Sequence, residues 1–277
     1  MSLKIAIDAG HGLYTSGKRC LKSLDPNQTR EWYLNDRIAD KLEEILKGYN
    51  CEVLRMDNIT GLTDISLANR VKKANTWGAD VYISIHHNAG INGGSGGGTV
   101  VYYYSNDRER LNQARALYNA VVKVTGLIGN RSSVVIKNGF YVIKNTNMPA
   151  FLLENGYMDS STDVPVILSE DHANKTAIGL LNFLVNTFGL TERSGVVATQ
   201  PAKPVKPATS TNSGSSFKVR IKVDSLNYRA GAGVRFKKKG TVKKGEIYTI
   251  TEISGSWGKL KSGVGWINIS DTYVTRL

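Results

Sequence analysis

Two histidines follow apolar runs of the sequence and are candidate metal ligands. His11 stands between two glycines directly after the run LKIAIDA, and His86 closes a run of alternating apolar residues. Open α/β sheets place their sites at the carboxyl ends of strands, so we expect both imidazoles at one sheet edge. Successive residues of a strand point to opposite faces, so only one of His86 and His87 is expected to reach a site shared with His11. We favour His86, and expect His87 to pack or to make an outer hydrogen bond.

Two glutamates extend this set. Glu31 begins a predicted helix, and two histidines with one carboxylate form a known catalytic zinc set. Such a site keeps one position open for a water whose pKa the metal lowers. The alternative for Glu31 is a first-turn acid that stabilises the helix dipole. Glu154 ends the apolar run PAFLL, where an ionised group is costly unless a metal, water or partner compensates it. We therefore predict that Glu154 is a general base.

The elements that must position these residues follow from the hydrophobic pattern before residue 190. Short apolar runs alternate there with helical periodicity, which indicates an α/β fold with a mixed, mainly parallel central sheet flanked by helices. The predicted strands are 3–9, 51–56, 80–86, 99–104 and 149–155, and the predicted helices are 31–48, 67–77, 108–124 and 174–188.

The pattern changes after residue 190. Residues 191–216 are rich in Pro, Ala, Ser, Thr and Gly, which is typical of a flexible linker. Residues 217–277 contain short strands separated by turns and no helical period, which predicts a small all-β barrel or sandwich. The expected domains are therefore 1–190 and 217–277, joined by the linker.

The net charge of +13 is concentrated in the second part of the chain. Residues 1–190 hold 20 Lys and Arg against 18 Asp and Glu, whereas residues 191–277 hold 16 against 5. A basic tail of this kind is expected to attract an anionic polymer such as wall teichoic acid, a nucleic acid or a membrane surface. The alternative is a set of ordinary solubilising lysines.

Other features carry little chemistry. The sequence contains no apolar stretch long enough to span a membrane. Cys20 and Cys51 form no cluster and are expected to be reduced thiols. The glycine-rich segment 93–98 lacks the Lys-Ser/Thr of a phosphate-binding loop and precedes a strand, so it is interpreted as a flexible rim loop. His172 is predicted to be a surface residue.

Several segments together resemble the zinc-dependent N-acetylmuramoyl-L-alanine amidase family of bacterial autolysins, spore-cortex lytic enzymes and phage endolysins. The resemblance spans about residues 3–189. The stretches that carry it are IAIDAGHG at 5–12, EWYLNDRIADKL at 31–42, CEVLRMD at 51–57, SLANRVKKANTWGADVYISIHHNA at 66–89, GGTVVYY at 97–103 and MPAFLLENGYMDS at 148–160.

This resemblance implies a function for each candidate residue. It implies that His11, Glu31 and His86 are the ligands of a Zn²⁺ cofactor and that Glu154 is the catalytic glutamate. The implied reaction is hydrolysis of the amide between the lactyl group of N-acetylmuramic acid and the L-alanine of the stem peptide. His87 stands where the family usually has a small residue.

The tail is similar to the bacterial SH3-type domains that hold wall hydrolases on peptidoglycan. The resemblance covers roughly residues 217–277 and rests on LNYR at 226–229, WGKL at 257–260 and GWI at 265–267. Tyr228, Trp257 and Trp266 are therefore candidates for a wall-binding groove, and the alternative is that they are core aromatics of a small barrel.

The expected function is that of a phage or prophage endolysin acting on the peptidoglycan of a Gram-positive wall, since the N-terminus does not read as a secretion signal. Such an enzyme accumulates in the host cytoplasm until a holin opens the membrane. A secreted host autolysin or a mother-cell lysis enzyme is an alternative, as is a zinc peptidase or deacetylase acting on another wall amide. The ligand set and Glu154 argue against a pure wall-adhesion or nucleic-acid-binding protein, so no nucleic acid partner is expected.

Overall fold

The computed structural model describes residues 2–130, 132–193, 216–231, 236, 238–254, 257–269 and 273–277. The chain divides into two compact units, Met1–Thr199 and Gln200–Leu277. Among the residues described, no helix has the length and apolar character needed to cross a membrane.

The first unit contains a six-stranded sheet with the order β2-β1-β3-β6-β4-β5. β1 pairs in parallel with β2 and β3, β3 pairs in parallel with β6, and β4 lies antiparallel to β6 and parallel to β5. The predicted mixed, mainly parallel sheet is thus confirmed. Its strands are β1 (Leu3–Ala9), β2 (Cys51–Arg55), β3 (Val81–Asn88), β4 (Thr99–Tyr103), β5 (Val135–Lys137) and β6 (Ala150–Tyr157).

The helices of this unit begin at side chains that cap free backbone N–H groups. Ser66, Asp107 and Ser169 each accept a hydrogen bond from the first turn of the helix that follows. The last helix therefore starts at 170, four residues before the predicted start. The helices are α1 (Glu31–Leu46), α2 (Leu67–Trp77), α3 (Arg108–Thr125), α4 (Tyr141–Asn145), α5 (Val164–Ile167) and α6 (Glu170–Phe188).

The second unit is built from strands alone among its described residues. Seven strands form one sheet in the order β13-β7-β10-β11-β12-β8-β9, and every neighbouring pair is antiparallel. They are β7 (Phe217–Ile221), β8 (Ser225–Arg229), β9 (Lys238–Lys243), β10 (Ile247–Ser254), β11 (Trp257–Leu260), β12 (Trp266–Asn268) and β13 (Val274–Arg276). Aliphatic side chains from these strands form its buried core. The predicted all-β character of this region is confirmed, and the closer likeness to SH3-type domains stays a prediction.

Most of the predicted linker, at residues 194–215, lies outside the described residues. Its first residues are hydrogen-bonded to the first unit. The N–H of Asn50 donates to the carbonyl of Thr191 over 2.8 Å, and Nε of Arg193 donates to the carbonyl of Tyr49 over 2.8 Å.

The alternation of side chains along the strands builds two cores, one on each face of the first sheet. On β1, Ile5 and Ile7 belong to the core that α1, α3 and α6 cover, whereas Ala6 belongs to the core beneath α2 and α4. Cys20 and Cys51 are both buried, and neither forms a disulfide in the structure. Burial raises the pKa of the Cys20 thiol to about 12, so this group stays protonated.

The closest approach of α3 and α6 depends on a glycine inside α6. A Cβ added to Gly179 would lie 2.7 Å from Cα of Val121, which belongs to the backbone of α3. Glycine in a helix interior costs about 1 kcal/mol relative to alanine, so the helix itself does not favour this residue. The contact between the two helices requires it instead.

Gly179→Ala tests this packing. We expect the free energy of unfolding to fall by about 1–2 kcal/mol, because overpacking outweighs the gain in helix propensity. Urea denaturation measures the change. Gly48→Ala is the control, since a Cβ there would meet its nearest neighbour, the carbonyl of Ile45, at 3.6 Å. A Gly179→Ala variant more stable than the wild-type protein would show that the helices do not need the glycine.

Candidate metal centre

Three side chains converge at the carboxyl edge of the first sheet. His11 follows β1, Glu31 is the first residue of α1, and His86 lies near the end of β3. Oε1 of Glu31 lies 3.3 Å from Nε2 of His11 and 3.1 Å from Nδ1 of His86. One ligand atom from each residue can be chosen so that all three lie within 4.8 Å of one another. The structure therefore brings the three predicted ligands together in a group that can bind a metal ion.

The backbone at the end of β1 is shaped by this convergence. His11 has φ of 67°, a left-handed conformation that costs free energy in a residue with a side chain. A Cβ on Gly10 would lie only 2.0 Å from Cε1 of His86. Position 10 must therefore be glycine for the imidazole of His86 to occupy its place.

Glu31 has the electrostatic character of a ligand. Its side chain is 1% exposed, and burial alone would raise its pKa. Hydrogen bonds with His11 and His86 outweigh burial and lower the pKa, so the carboxylate stays ionised, as metal binding requires. Burial would lower the pKa of His86, but the hydrogen bond and negative charge of Glu31 have the larger effect, so the pKa lies above its usual value. A metal binds the neutral imidazole, so metal and proton compete for this group.

The remaining oxygen of Glu31 gives an independent test of whether a metal fits. Oε2 is buried and has no hydrogen-bond partner, and the nearest cation is Nζ of Lys18 at 3.7 Å. Buried carboxylate oxygens without hydrogen bonds are costly. Two imidazoles and such a carboxylate match the donor set of catalytic zinc sites. The residues present thus fit a divalent metal.

Glu154 lies directly beside this group. In the register of β3 and β6 it is the neighbour of His86, and its negative charge contributes to the raised pKa of that histidine. Glu31, His86 and Glu154 line one cleft with a volume of about 310 Å³. The structure thus places the predicted base in the same cleft as two of the predicted ligands, Glu31 and His86.

Asn35 connects the two histidine-bearing strands. Nδ1 of His87 donates to Oδ1 of Asn35 over 2.8 Å, and Nδ2 of Asn35 donates to the carbonyl of Gly10 over 3.1 Å. Asn35 therefore holds the residue before His11 and the residue after His86. The buried side chain of His87 is hydrogen-bonded to Asn35 and is not part of the group formed by His11, Glu31 and His86, as predicted. Its backbone N–H donates to Oε1 of Glu31 over 3.3 Å.

Arg70 holds the same strand end from α2. Its guanidinium donates to the carbonyls of Ala9 and His11, each over 2.9 Å, and forms a buried ion pair with Asp8. The ion pair lowers the pKa of Asp8 against the effect of burial, which would raise it. Arg70 thus fixes the backbone on both sides of Gly10.

Comparison with known proteins decides the family. The family model for N-acetylmuramoyl-L-alanine amidase (Amidase_3) matches residues 5–186, which is more than half of the chain. The chain belongs to the N-acetylmuramoyl-L-alanine amidase family. It is therefore a peptidoglycan amidase, and its family is generally zinc-dependent.

Individual relatives agree with this assignment. The endolysin of Bacillus phage SPP1 is 29% identical over 99% of this chain and 98% of its own length. The N-acetylmuramoyl-L-alanine amidase CwlM of Bacillus licheniformis is 29% identical over 70% of this chain and 72% of its own. The catalytic domain of the amidase CwlV from Bacillus (Paenibacillus) polymyxa var. colistinus is 30% identical, has a TM-score of 0.60, and covers 68% of this chain and 98% of its own.

The position predicted from the sequence for one histidine of the amidase was wrong. His172 was predicted to lie on the surface, but it is 2% exposed, and its ring centroid lies 6.5 Å from that of His87. The reason is the early start of α6, which puts His172 in its first turn against the core. Burial lowers the pKa of His172 to about 4.

The glycine-rich rim of the amidase is held by aspartates. Oδ2 of Asp159 accepts hydrogen bonds from three successive backbone N–H groups at residues 90–92, each over 2.8 Å. Oδ2 of Asp163 accepts from the N–H of Gly98 over 2.7 Å. Ala89, shortly before the glycine-rich segment 93–98, contributes to the lining of the cleft. The flexibility expected of residues 93–98 stays a prediction.

The aromatic residues proposed for wall binding occupy different places in the second unit. Tyr228 is half-buried and packs against the core, with its ring close to Gly240. The register of β11 and β12 pairs Lys259 with Trp266, and strand alternation then puts Trp257 and Trp266 on one face. Nζ of Lys259 lies 5.8 Å from the centroid of a Trp266 ring. The two tryptophans are half-buried.

Asn35→Leu tests the connection between the two strand ends. The leucine leaves the buried groups of His87 and Gly10 without their partner, so we expect the free energy of unfolding to fall by about 1–3 kcal/mol. Metal affinity should fall about 10–100-fold, as for other residues that orient ligands. Denaturation and competition with a chelator measure the two effects.

Asn112→Leu is the control, since Asn112 is an exposed residue of α3. Its metal affinity should equal that of the wild-type protein. An Asn35→Leu variant with unchanged affinity for the metal would contradict the role given to Asn35.

Proposed function

We propose that this amidase is a zinc-dependent endolysin that cleaves the bond between N-acetylmuramic acid and L-alanine in the peptidoglycan of a Gram-positive cell wall. In this proposal His11, Glu31 and His86 hold the zinc ion and Glu154 is the general base. The observation that carries it is the convergence of two imidazoles and one buried carboxylate, of which His86 and Glu31 line one cleft together with Glu154.

Zinc suits this group of ligands better than a harder cation. Mg²⁺ and Ca²⁺ prefer oxygen ligands, whereas two of the three donors here are imidazole nitrogens. When bound, zinc supplies Lewis acidity at the scissile carbonyl and lowers the pKa of water at its open position. Glu31 stays ionised for this purpose because His11 and His86 lower its pKa.

Glu154 would move the proton. Its carboxylate accepts a proton from the attacking water and delivers it to the nitrogen of the leaving L-alanine, which must depart as a neutral amine. The position of Glu154 beside His86, in the cleft shared with Glu31, supports this role. The same chemistry would serve a zinc peptidase or deacetylase, so the bond must be identified from the products.

The endolysin role is supported by the relative that matches both units. The SPP1 endolysin aligns with 99% of this chain, including the region after residue 190. An endolysin is made in the host cytoplasm and reaches the wall once a holin has opened the membrane. A secreted host autolysin is the alternative, and it would perform the same reaction.

The second unit is proposed to be an SH3-type domain that binds the wall. Half-buried Trp257 and Trp266 on one face offer flat apolar surfaces with polar edges, which suit contact with glycan or peptide. Residues 191–277 contain 16 Lys and Arg but only 5 Asp and Glu, and this net positive charge supports attraction to an anionic polymer such as teichoic acid. Tyr228 lies on the core side and would support this surface from beneath.

Glu154→Gln tests the catalytic proposal. The carboxamide keeps the shape but cannot accept a proton, so hydrolysis of purified peptidoglycan should fall at least about 100-fold, while zinc content and wall binding stay unchanged. Mass spectrometry of the wild-type digest should show new L-alanine amino termini. These should disappear with a chelator and return when zinc is added.

Product identity separates the alternatives. Cleaved stem peptides, deacetylated sugars or new reducing ends would contradict the amidase reaction on this bond. Persistent lysis by Glu154→Gln at the wild-type rate would contradict the role of Glu154 but not the identity of the cleaved bond. Glu109→Gln is the matched control, since Glu109 lies on α3 and is not among the residues that line the cleft.

Trp266→Ala tests the wall-binding proposal. Loss of the indole should weaken binding of the full chain to purified walls about 10-fold or more, as for a buried aromatic anchor, without changing the rate on small soluble muropeptides. Co-sedimentation with walls measures the binding. Ile247→Ala is the control, since Ile247 is a 48% exposed apolar residue of the same unit on β10. Equal binding by both variants would exclude Trp266 from the wall contact.

A further inference from the structure

The cleft beside the candidate metal centre contains one cationic side chain that the proposed reaction does not use. Lys18 is the one lysine or arginine among the described residues that line this cleft. The same cleft contains the carboxylates of Glu31 and Glu154. The charge of Lys18 therefore bears on which substrates can enter.

The backbone fixes Lys18 at this place. Its carbonyl accepts a hydrogen bond from the N–H of Glu31 over 3.0 Å, and the next residue, Arg19, forms a β-bridge with Arg30. The loop that carries Lys18 is thus attached to the start of α1. A change in the position of Lys18 would require the N-terminal end of α1 to move.

The ammonium group itself is less constrained. Nζ of Lys18 lies 3.7 Å from Oε2 of Glu31, which is beyond hydrogen-bond distance, and the side chain is 43% exposed. A metal ion held by Glu31 would compensate that carboxylate and weaken its attraction for Lys18. The ammonium group would then be available to another anion in the cleft.

The substrate can provide that anion. Stem peptides carry carboxylates on the residues after L-alanine unless these are amidated. One residue of extended chain spans about 3.4 Å, so the second stem residue lies about 7 Å from the scissile amide. Lys18 lines the same cleft as Glu31 and Glu154, so a stem peptide whose scissile amide lay between the metal ligands and Glu154 would pass close to it.

We propose that Lys18 is a specificity-determining residue that binds a free carboxylate on the second residue of the stem peptide. This inference rests on the proposed function, because it requires the stem peptide to occupy this cleft. A carboxylate brought next to Glu31 and Glu154 without a cation would be repelled, and Lys18 removes this repulsion. The alternative is that Lys18 serves only to neutralise Glu31.

The test compares two soluble muropeptides that differ in one group. Both contain N-acetylmuramic acid linked to L-alanine, and the second stem residue carries either an α-carboxylate (isoglutamate) or an α-carboxamide (isoglutamine). Kinetics are measured for the zinc-loaded full chain, for Lys18→Met and for Lys18→Arg. Lys22→Met is the matched control, since Lys22 is exposed on the same loop and does not line the cleft.

The wild-type enzyme should prefer the carboxylate substrate. Lys18→Met should raise KM for this substrate about 10-fold, which corresponds to about 1.4 kcal/mol, and should change KM for the carboxamide less than 2-fold. The kcat values and the zinc content should stay unchanged. Lys18→Arg should keep the preference, and Lys22→Met should equal the wild-type protein in every value.

Three results would each overturn the inference. The first is an equal change in KM for both substrates, and the second is no preference in the wild-type enzyme. The third is loss of zinc from Lys18→Met with loss of activity on both substrates, which would assign Lys18 to Glu31 alone. Cleavage of the carboxamide by the wild-type enzyme at the muramoyl–alanine bond keeps the proposed function in either case, whereas cleavage of neither substrate at this bond would remove the proposed function itself.

Discussion

The buried carboxylate of Glu31 is the constraint on which the rest of the site depends. An ionised group removed from water costs several kcal/mol unless partners compensate it. Here the partners are His11, His86 and the backbone N–H of His87, and they come from two neighbouring strands. The first residue of α1 must therefore lie at the carboxyl edge of the sheet, between β1 and β3. This requirement also places the loop before α1, with Lys18, against the cleft.

The end of β1 is held from both faces of the sheet. Asn35 belongs to α1 and binds the carbonyl of Gly10, whereas Arg70 belongs to α2 and binds the carbonyls of Ala9 and His11. These helices cover opposite cores. Three successive carbonyls are thus occupied by buried side chains, which explains how His11 can keep a left-handed backbone conformation. Residues distant in sequence from the end of β1 therefore control the backbone geometry of His11.

The sequence was sufficient for the main strands and helices and for the residues with obvious chemistry. His11, His86 and Glu154 each follow an apolar run, and that position at a strand end is visible without a structure. Asn35 and Arg70 lie within helices and gave no such signal, because their importance comes from contacts with strands distant in sequence. Asn35 stands three residues before Ile38 and so lies on the same face of α1 as this buried residue. This spacing is the one clue in the sequence that Asn35 is not exposed.

The sequence pattern did not predict the short elements or the capped start of α6, for a related reason. β5 and α4 contain too few residues to show a period, and their places are set by the neighbouring strand and the core beneath them. The start of α6 was placed too late because Ser169 and two acidic residues precede its apolar pattern. That error of four residues turned a buried histidine into a predicted surface residue.

Charged residues are expected to influence substrate selection at both long and short distances. The first part of the chain is almost neutral and the second is strongly basic, so the proposed attraction to an anionic wall polymer would arise mainly from the second. Such attraction is screened beyond about 8 Å at physiological ionic strength, and it cannot distinguish one stem peptide from another. Discrimination must come from charges inside the cleft, where Glu31, Glu154 and Lys18 lie close together and less water screens them. A basic tail can therefore vary without changing which bond is cut, whereas a change at Lys18 alters which peptides are accepted.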